Sequence, residues 1–104
     1  MGTISIGKKG LYAAPVGYNV TTSDSEIVAA NNARTSVTLV NDSDTDVYLA
    51  VEGETAVLNR GIRLNSGGGS AQFGGEGGLP LTKGAIRGIH GGTGNKVMGV
   101  QETT

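Results

Sequence analysis

The sequence predicts an all-β fold: a single small β-sandwich or jelly-roll-like barrel of about eight or nine short strands, with glycine-rich loops and no substantial helix. Three observations carry this. Short runs of period-two alternation recur along the chain, and Gly, Asn, Asp and Ser punctuate them about every 8–12 residues. No segment keeps a 3.6-residue apolar period. Nineteen of the 104 residues are glycine and only 16% are charged, which suits turns and packed strands better than solvated helices.

The elements follow in order. Thr3-Ile4-Ser5-Ile6 alternates cleanly, and Gly7-Lys8-Lys9-Gly10 breaks it as a turn. Leu11 to Ala14 reads as a short strand ended by Pro15 and Gly17. Tyr18 to Thr22 is rich in β-formers, and Thr22 to Ser25 turns. Glu26 to Ala30 is the next strand; a helix over Ser25 to Arg34 fails because Asn31-Asn32 interrupts it and no apolar stripe forms. Thr35 to Val40 and Asp46 to Val51 both alternate across a polar turn from Asn41 to Thr45. This pattern predicts a β-hairpin with a five-residue loop, with Val37, Leu39, Val47, Leu49 and Val51 inward and Tyr48 outward.

Ile62-Arg63-Leu64 gives a short strand after a looser connection through Asn59-Arg60-Gly61. Over residues 66–78, seven of thirteen are glycine, which predicts a loop around a brief strand at Ser70 to Phe73. Gly84 to His90 reads as a strand. Ile86 and Ile89 cannot share a face of a regular strand, so a bulge near Gly88 is expected. Gly91 to Asn95 turns, and Lys96 to Glu102 closes the chain with Met98 and Val100 on one side. Residues 1–104 read as one β domain, with 1–17 either an extended N-terminal arm or the first strand.

Composition excludes several functions. A formal charge of −1 and 4% aromatics provide neither the basic footprint nor the stacking platforms of a nucleic-acid binder. With no cysteine there are no disulfides, no thiol chemistry and no Cys-ligated zinc. No apolar run approaches the ~18 residues of a membrane span, and the first residues lack the layout of a signal peptide. The 24 Leu, Ile, Val and Phe residues make a thin core, and the glycines cost extra entropy on ordering. A partner surface, most simply a second copy, would supply the missing burial.

Motifs of chemistry are incomplete. His90 is the only histidine, and no Gly-x-Ser-x-Gly elbow accompanies it; it reads as a solvated or hydrogen-bonded turn residue. Asp42-x-Asp44-x-Asp46 opens like a calcium loop, but Val47 and Gly53 stand where Gly and Glu are required. Capping of backbone N–H groups is the reading for these aspartates. Gly91 to Lys96 lacks the order of a phosphate loop and no helix follows it. Asn19-Val20-Thr21 and Asn41-Asp42-Ser43 match the glycosylation pattern, which without a secretory signal carries little weight. Glu52 and Glu54 are a carboxylate pair without aromatic platforms for a sugar. No metal, no cofactor and no catalysis are expected.

The run from Ala30 through Arg34 to Asn41, the polar turn, and Asp46-Val47-Tyr48-Leu49 together resemble small bacteriophage virion proteins. These proteins run Asn-x-Ala-Arg, alternating strand, Asn, turn, strand. A glycine-rich stretch follows, and then an ending like Lys83 to Ile89, a glycine turn and Val97 to Glu102. The resemblance covers about residues 26–102 and leaves the first 25 unplaced. It implies a small β-sandwich on a capsid, neck or tail, often as a trimer, with capsid decoration or cement protein the favoured member. The implied partners are copies of itself and a major capsid or other virion protein, and the implied location is the virion. Candidate assembly contacts are Ile4, Ile6, Leu11 and Tyr12, in an arm able to add a strand to a neighbour's sheet. Two other readings compete. One is a receptor- or carbohydrate-binding module, for which only Tyr12, Tyr18 and Tyr48 are on offer. The other is a small lyase or hydrolase built around His90.

Overall fold

Eight strands form in the computed structural model, which describes residues 12–104. They are β1 (Val16–Val20), β2 (Ser25–Val28), β3 (Ser36–Asn41), β4 (Val47–Ala50), β5 (Ile62–Leu64), β6 (Gly69–Phe73), β7 (Ile86–His90) and β8 (Lys96–Thr103). No helix is present among the described residues. Two four-stranded antiparallel sheets result, ordered β1-β8-β3-β6 and β2-β7-β4-β5. Each strand of one sheet thus matches its chain neighbour in the other: 1 with 2, 8 with 7, 3 with 4, 6 with 5. That order is the jelly-roll form of a sandwich. The two sheets stay separate and do not close into a barrel.

This topology corrects the expected hairpin. β3 and β4 alternate as read, with Val37, Leu39, Val47 and Leu49 fully buried and Val51 partly so, but they belong to different sheets. The segment between them is an arch across the core. Asn41, fully buried at the end of β3, builds it. Its Nδ2 donates to the carbonyls of Thr45 and Leu64, both at 2.9 Å, and its Oδ1 accepts from the N–H and hydroxyl of Ser43 at 3.1 and 2.6 Å. A buried amide with its donors and acceptor all engaged fixes the chain's turn from one layer to the other. Among the described strands only β4 and β5 are both consecutive and paired.

The core fills the space between the layers. Val20, Val37, Leu39, Phe73, Met98 and Val100 come from the first sheet. Ile27, Val28, Val47, Leu49, Leu64 and Ile86 come from the second. Each contributes roughly 1.5–3 kcal/mol when fully buried. The expected bulge exists, but on the partner strand. The β2–β7 register shifts between Glu26 and Val28, so that Ile27 and Val28 both turn inward. In β7 the inward residues are Ile86, Gly88 and His90, and Ile89 points out. Gly88 leaves room for Cδ1 of Ile27, which would have to shift if a Cβ stood there. In the glycine-rich stretch, β6 forms as read. Gly74 then turns at φ 84°, where a Cβ would meet the carbonyl of Thr35.

Candidate functional site

Arg34 is the largest side chain with no exposure at all. It lies in the connection from β2 to β3. Its Nε donates to Oε2 of Glu102 at 2.7 Å, one Nη to the carbonyls of Thr82 (2.7 Å) and Gly84 (3.1 Å), and the other to the carbonyl of Ala29 (2.6 Å). Asn31 completes the unit: its Oδ1 accepts from Ala33 N–H at 3.0 Å, and its own N–H donates to Lys83 at 2.8 Å. The Asn-x-Ala-Arg run therefore ties the end of β2, the 82–84 loop and β8 together. An arginine with five rigid donors suits this, because loop carbonyls pulled out of water need fixed partners. Sequence reading saw the motif but not this role.

The residues that could act chemically are engaged in the same way. His90 is fully buried and hydrogen-bonded at the turn, the second of the two states expected for it and not the solvated one. Gly92 N–H donates to its Nδ1 at 3.1 Å, which places the ring proton on Nε2, and Nε2 donates to the carbonyl of Gly94 at 2.7 Å. The ring thus shapes the 91–95 turn. Glu52 and Glu54 are both exposed; Glu52, at φ 57°, accepts from the Thr82 hydroxyl at 2.9 Å and Gly84 N–H at 3.0 Å. Asp46 caps Ser66 N–H at 2.8 Å, as read. Asp44 pairs with Lys96 at 2.8 Å; hydrogen bonds from Lys96 and then from the Thr45 hydroxyl hold its carboxyl below the usual range. Among the described residues no three His, Asp or Glu gather as for a metal. Asp24 accepts both Nε and Nη2 of Arg87, at 3.0 and 2.7 Å, and Ala56 N–H at 2.8 Å. The Arg87 bonds, then the Ala56 bond, lower its pKa, and the same pairing raises that of Arg87.

The surfaces differ between the sheets. The outer face of the β2-β7-β4-β5 sheet carries Glu26, Arg87 and Arg63, with Tyr48 between Ile89 and Arg63. The 51–61 loop is tied down beside it by the bond from Ala56, itself buried, to Asp24. Leu49, Ala50, Val57, Arg60 and Ile62 line an apolar pocket of about 380 Å³ beneath that loop.

The outer face of the β1-β8-β3-β6 sheet has no charged side chain on its strands. Gly17 and Asn19 lie beside Gly99 and Val97; Ser36, Thr38 and Val40 lie beside Thr103, Gln101 and Gly99; Ser70 and Gln72 complete it. A groove of about 410 Å³ runs over Gly99 between Val16 and Val40, with Asp42 at its end. Tyr12, 65% exposed, and Val97, 56% exposed, lie on this side, while Val16 (43%) and Tyr18 (40%) are exposed along β1, in register with the inward-facing Val100 and Met98.

Of the predicted contacts, Tyr12 is described. It bridges Thr103 beside β8, and Ala13 N–H donates to the Glu102 carbonyl at 3.0 Å. Leu11 to Ala14 is therefore not a regular strand in its described part, Tyr12 to Ala14, and Val16 and Gly17 belong to β1. Ile4, Ile6 and Leu11 lie outside the described residues. Comparison with family models, with curated proteins and with solved structures finds no match to this chain.

Proposed function

We propose that this protein is a structural virion component that binds an assembled phage capsid and stabilises it, associating with copies of itself, as the resemblance implies for a trimer. The observation that carries the reading is the outer face of the β1-β8-β3-β6 sheet, whose strands place no charged side chain on it, with exposed Tyr12 and Val97 beside it and exposed Val16 and Tyr18 along β1. A solitary surface normally carries about 25–35% charged residues; a face depleted of charge and supplied with tyrosine is the composition of an interface core. The jelly-roll order also supports it by analogy, since viral coat domains use that architecture, although fold alone does not fix function. The virion setting itself rests on the sequence resemblance. The engaged state of His90 and Glu52 favours a structural role for them over a catalytic one.

The mechanism is linkage. A protein that binds the closed shell and not its free subunits shifts the assembly equilibrium, and a symmetric lattice adds avidity. Co-sedimentation of the purified chain with shells of the phage that encodes it tests the reading. Saturable recovery in the pellet is expected; a chain left in the supernatant at every ratio overturns it. A carbohydrate- or receptor-binding module is the second reading, favoured only by the exposed tyrosines Tyr12 and Tyr18. Binding to a host-surface glycan, with none to shells, would establish it instead.

A further inference from the structure

Three segments distant in sequence meet on the outer side of the β2-β7-β4-β5 sheet: the start of β4, the tip of the 51–61 loop and the turn after β7. Asp46, Tyr48, Leu58, Asn59, Gly91 and Gly92 line a pocket of about 440 Å³ there. Each wall is held in place. Asp46 Oδ1 accepts from Ser66 N–H at 2.8 Å. His90 braces the turn through Gly92 N–H at 3.1 Å and the Gly94 carbonyl at 2.7 Å. Arg60 N–H closes the loop tip onto the Val57 carbonyl at 3.2 Å, with Asn59 at φ 64°, a conformation that asparagine tolerates in a turn. Leu58 in that turn leans over Gly91, where a Cβ would lie 3.5 Å from its Cδ2. The groups left open are polar. The second Asp46 oxygen, the Tyr48 hydroxyl and the Asn59 amide have no hydrogen-bond partner among the described residues.

We propose that this pocket binds a neutral sugar ring. The lining selects the class. Its one charge is Asp46, so phosphate, sulfate and carboxylate ligands meet repulsion. No three His, Asp or Glu gather among the described residues, so a metal ion lacks ligands. An organic ammonium would use Asp46 and the Tyr48 ring but leave the Asn59 N–H donors without a role. A sugar uses every group. Its C–H face lies on the Tyr48 ring, and its hydroxyls, which both donate and accept, reach the open Asp46 oxygen and the Asn59 amide. Gly91 and Gly92 leave bare backbone for close approach. A few convergent polar groups on a held frame are what orient a small ligand. The inference goes beyond the proposed function and stands apart from Tyr12 and Tyr18. Tyr12 bridges Thr103 at the far end of β8, on the other sheet. The two sheets face opposite ways, so this pocket and the face assigned to the shell do not compete.

The test follows amide chemical shifts of the isotope-labelled full-length chain by nuclear magnetic resonance. The probes are methyl glucoside, methyl galactoside, methyl mannoside and, separately, tetramethylammonium. At least one glycoside is expected to give saturable shifts at Tyr48, Asn59, Gly91 and Gly92, and none at Thr38, Val40 and Gly99 on the other sheet. Asn59→Gly keeps the positive φ and removes the amide. It is expected to raise the dissociation constant roughly threefold or more, as loss of a hydrogen bond does. Tyr48→Ala should do at least as much, and Asn59→Gly covers a Tyr48 variant that fails to fold. No saturable shift with any of the three sugars overturns the proposal. So do shifts centred elsewhere, an affinity indifferent to Asn59→Gly, or saturation by tetramethylammonium alone. Shell co-sedimentation reads the capsid proposal separately. Sugar binding without shell binding keeps this site and removes that reading, and the reverse result removes this site alone.

Discussion

Arg34 holds more of the fold than any other polar residue described. Removing its side chain leaves the Glu102 carboxylate and the carbonyls of Ala29, Thr82 and Gly84 without their partner. Losing one member of a buried pair costs about 3–5 kcal/mol, because the other groups stay desolvated. Arg34→Ala is therefore expected to lower stability by about that much, read as a shift in the urea midpoint at constant slope. Glu102→Gln keeps an acceptor and sits 22% exposed, so its loss is smaller. The pair Asp24–Arg87 sets a pH dependence. The folded carboxyl titrates below its ordinary value, so its contribution is full above about pH 5 and is lost as pH falls through 4 and below. Asp24→Asn should flatten that acid limb in a series of melts; an unchanged limb would remove the pair as its cause.

At the scale of elements, alternation located strands well and pairing poorly. β3, β4, β5, β6 and β8 fall where period-two runs place them, because one face of each is buried. The partner of β3 was not legible. A polar five-residue segment can join strands in one sheet or arch between two, and the difference lies in the burial of Asn41, which depends on the distant Leu64 carbonyl. The full burial of His90 was not legible, for a parity reason. Pairing Ile86 with Ile89 seemed natural for apolar residues, whereas strict alternation from Ile86 sends Gly88 and His90 inward. Arg34 was not legible as a hub, since three of its four partners are carbonyls, which any residue supplies. The Ile27–Gly88 contact gives a prediction at this scale. Gly88→Ala overpacks it and should cost about 1–3 kcal/mol; adding Ile27→Val, which removes the colliding Cδ1, should return part of that loss. Additive losses in the double variant would mean the two side chains do not compete for one space.

For the whole molecule, the two outer faces differ: one sheet carries Glu26, Arg63 and Arg87 outward, with a loop tied down beside it, and the strands of the other place no charged side chain outward. Residues 1–17 are not all available as an arm. Tyr12, Ala13, Val16 and Gly17 already join β8, so only residues 1–11 can be removed without cutting those bonds. Deleting 1–11 is expected to weaken shell attachment more than thermal stability. Equal loss of both would make the segment, with Ile4, Ile6 and Leu11, part of the folding core. The most direct measurement is a cryo-electron image of the native particle formed with and without this chain. Ordered density at repeated lattice positions, missing when the chain is missing, is the expected result. Particles identical in the two preparations, shell for shell, would contradict a structural role in the virion.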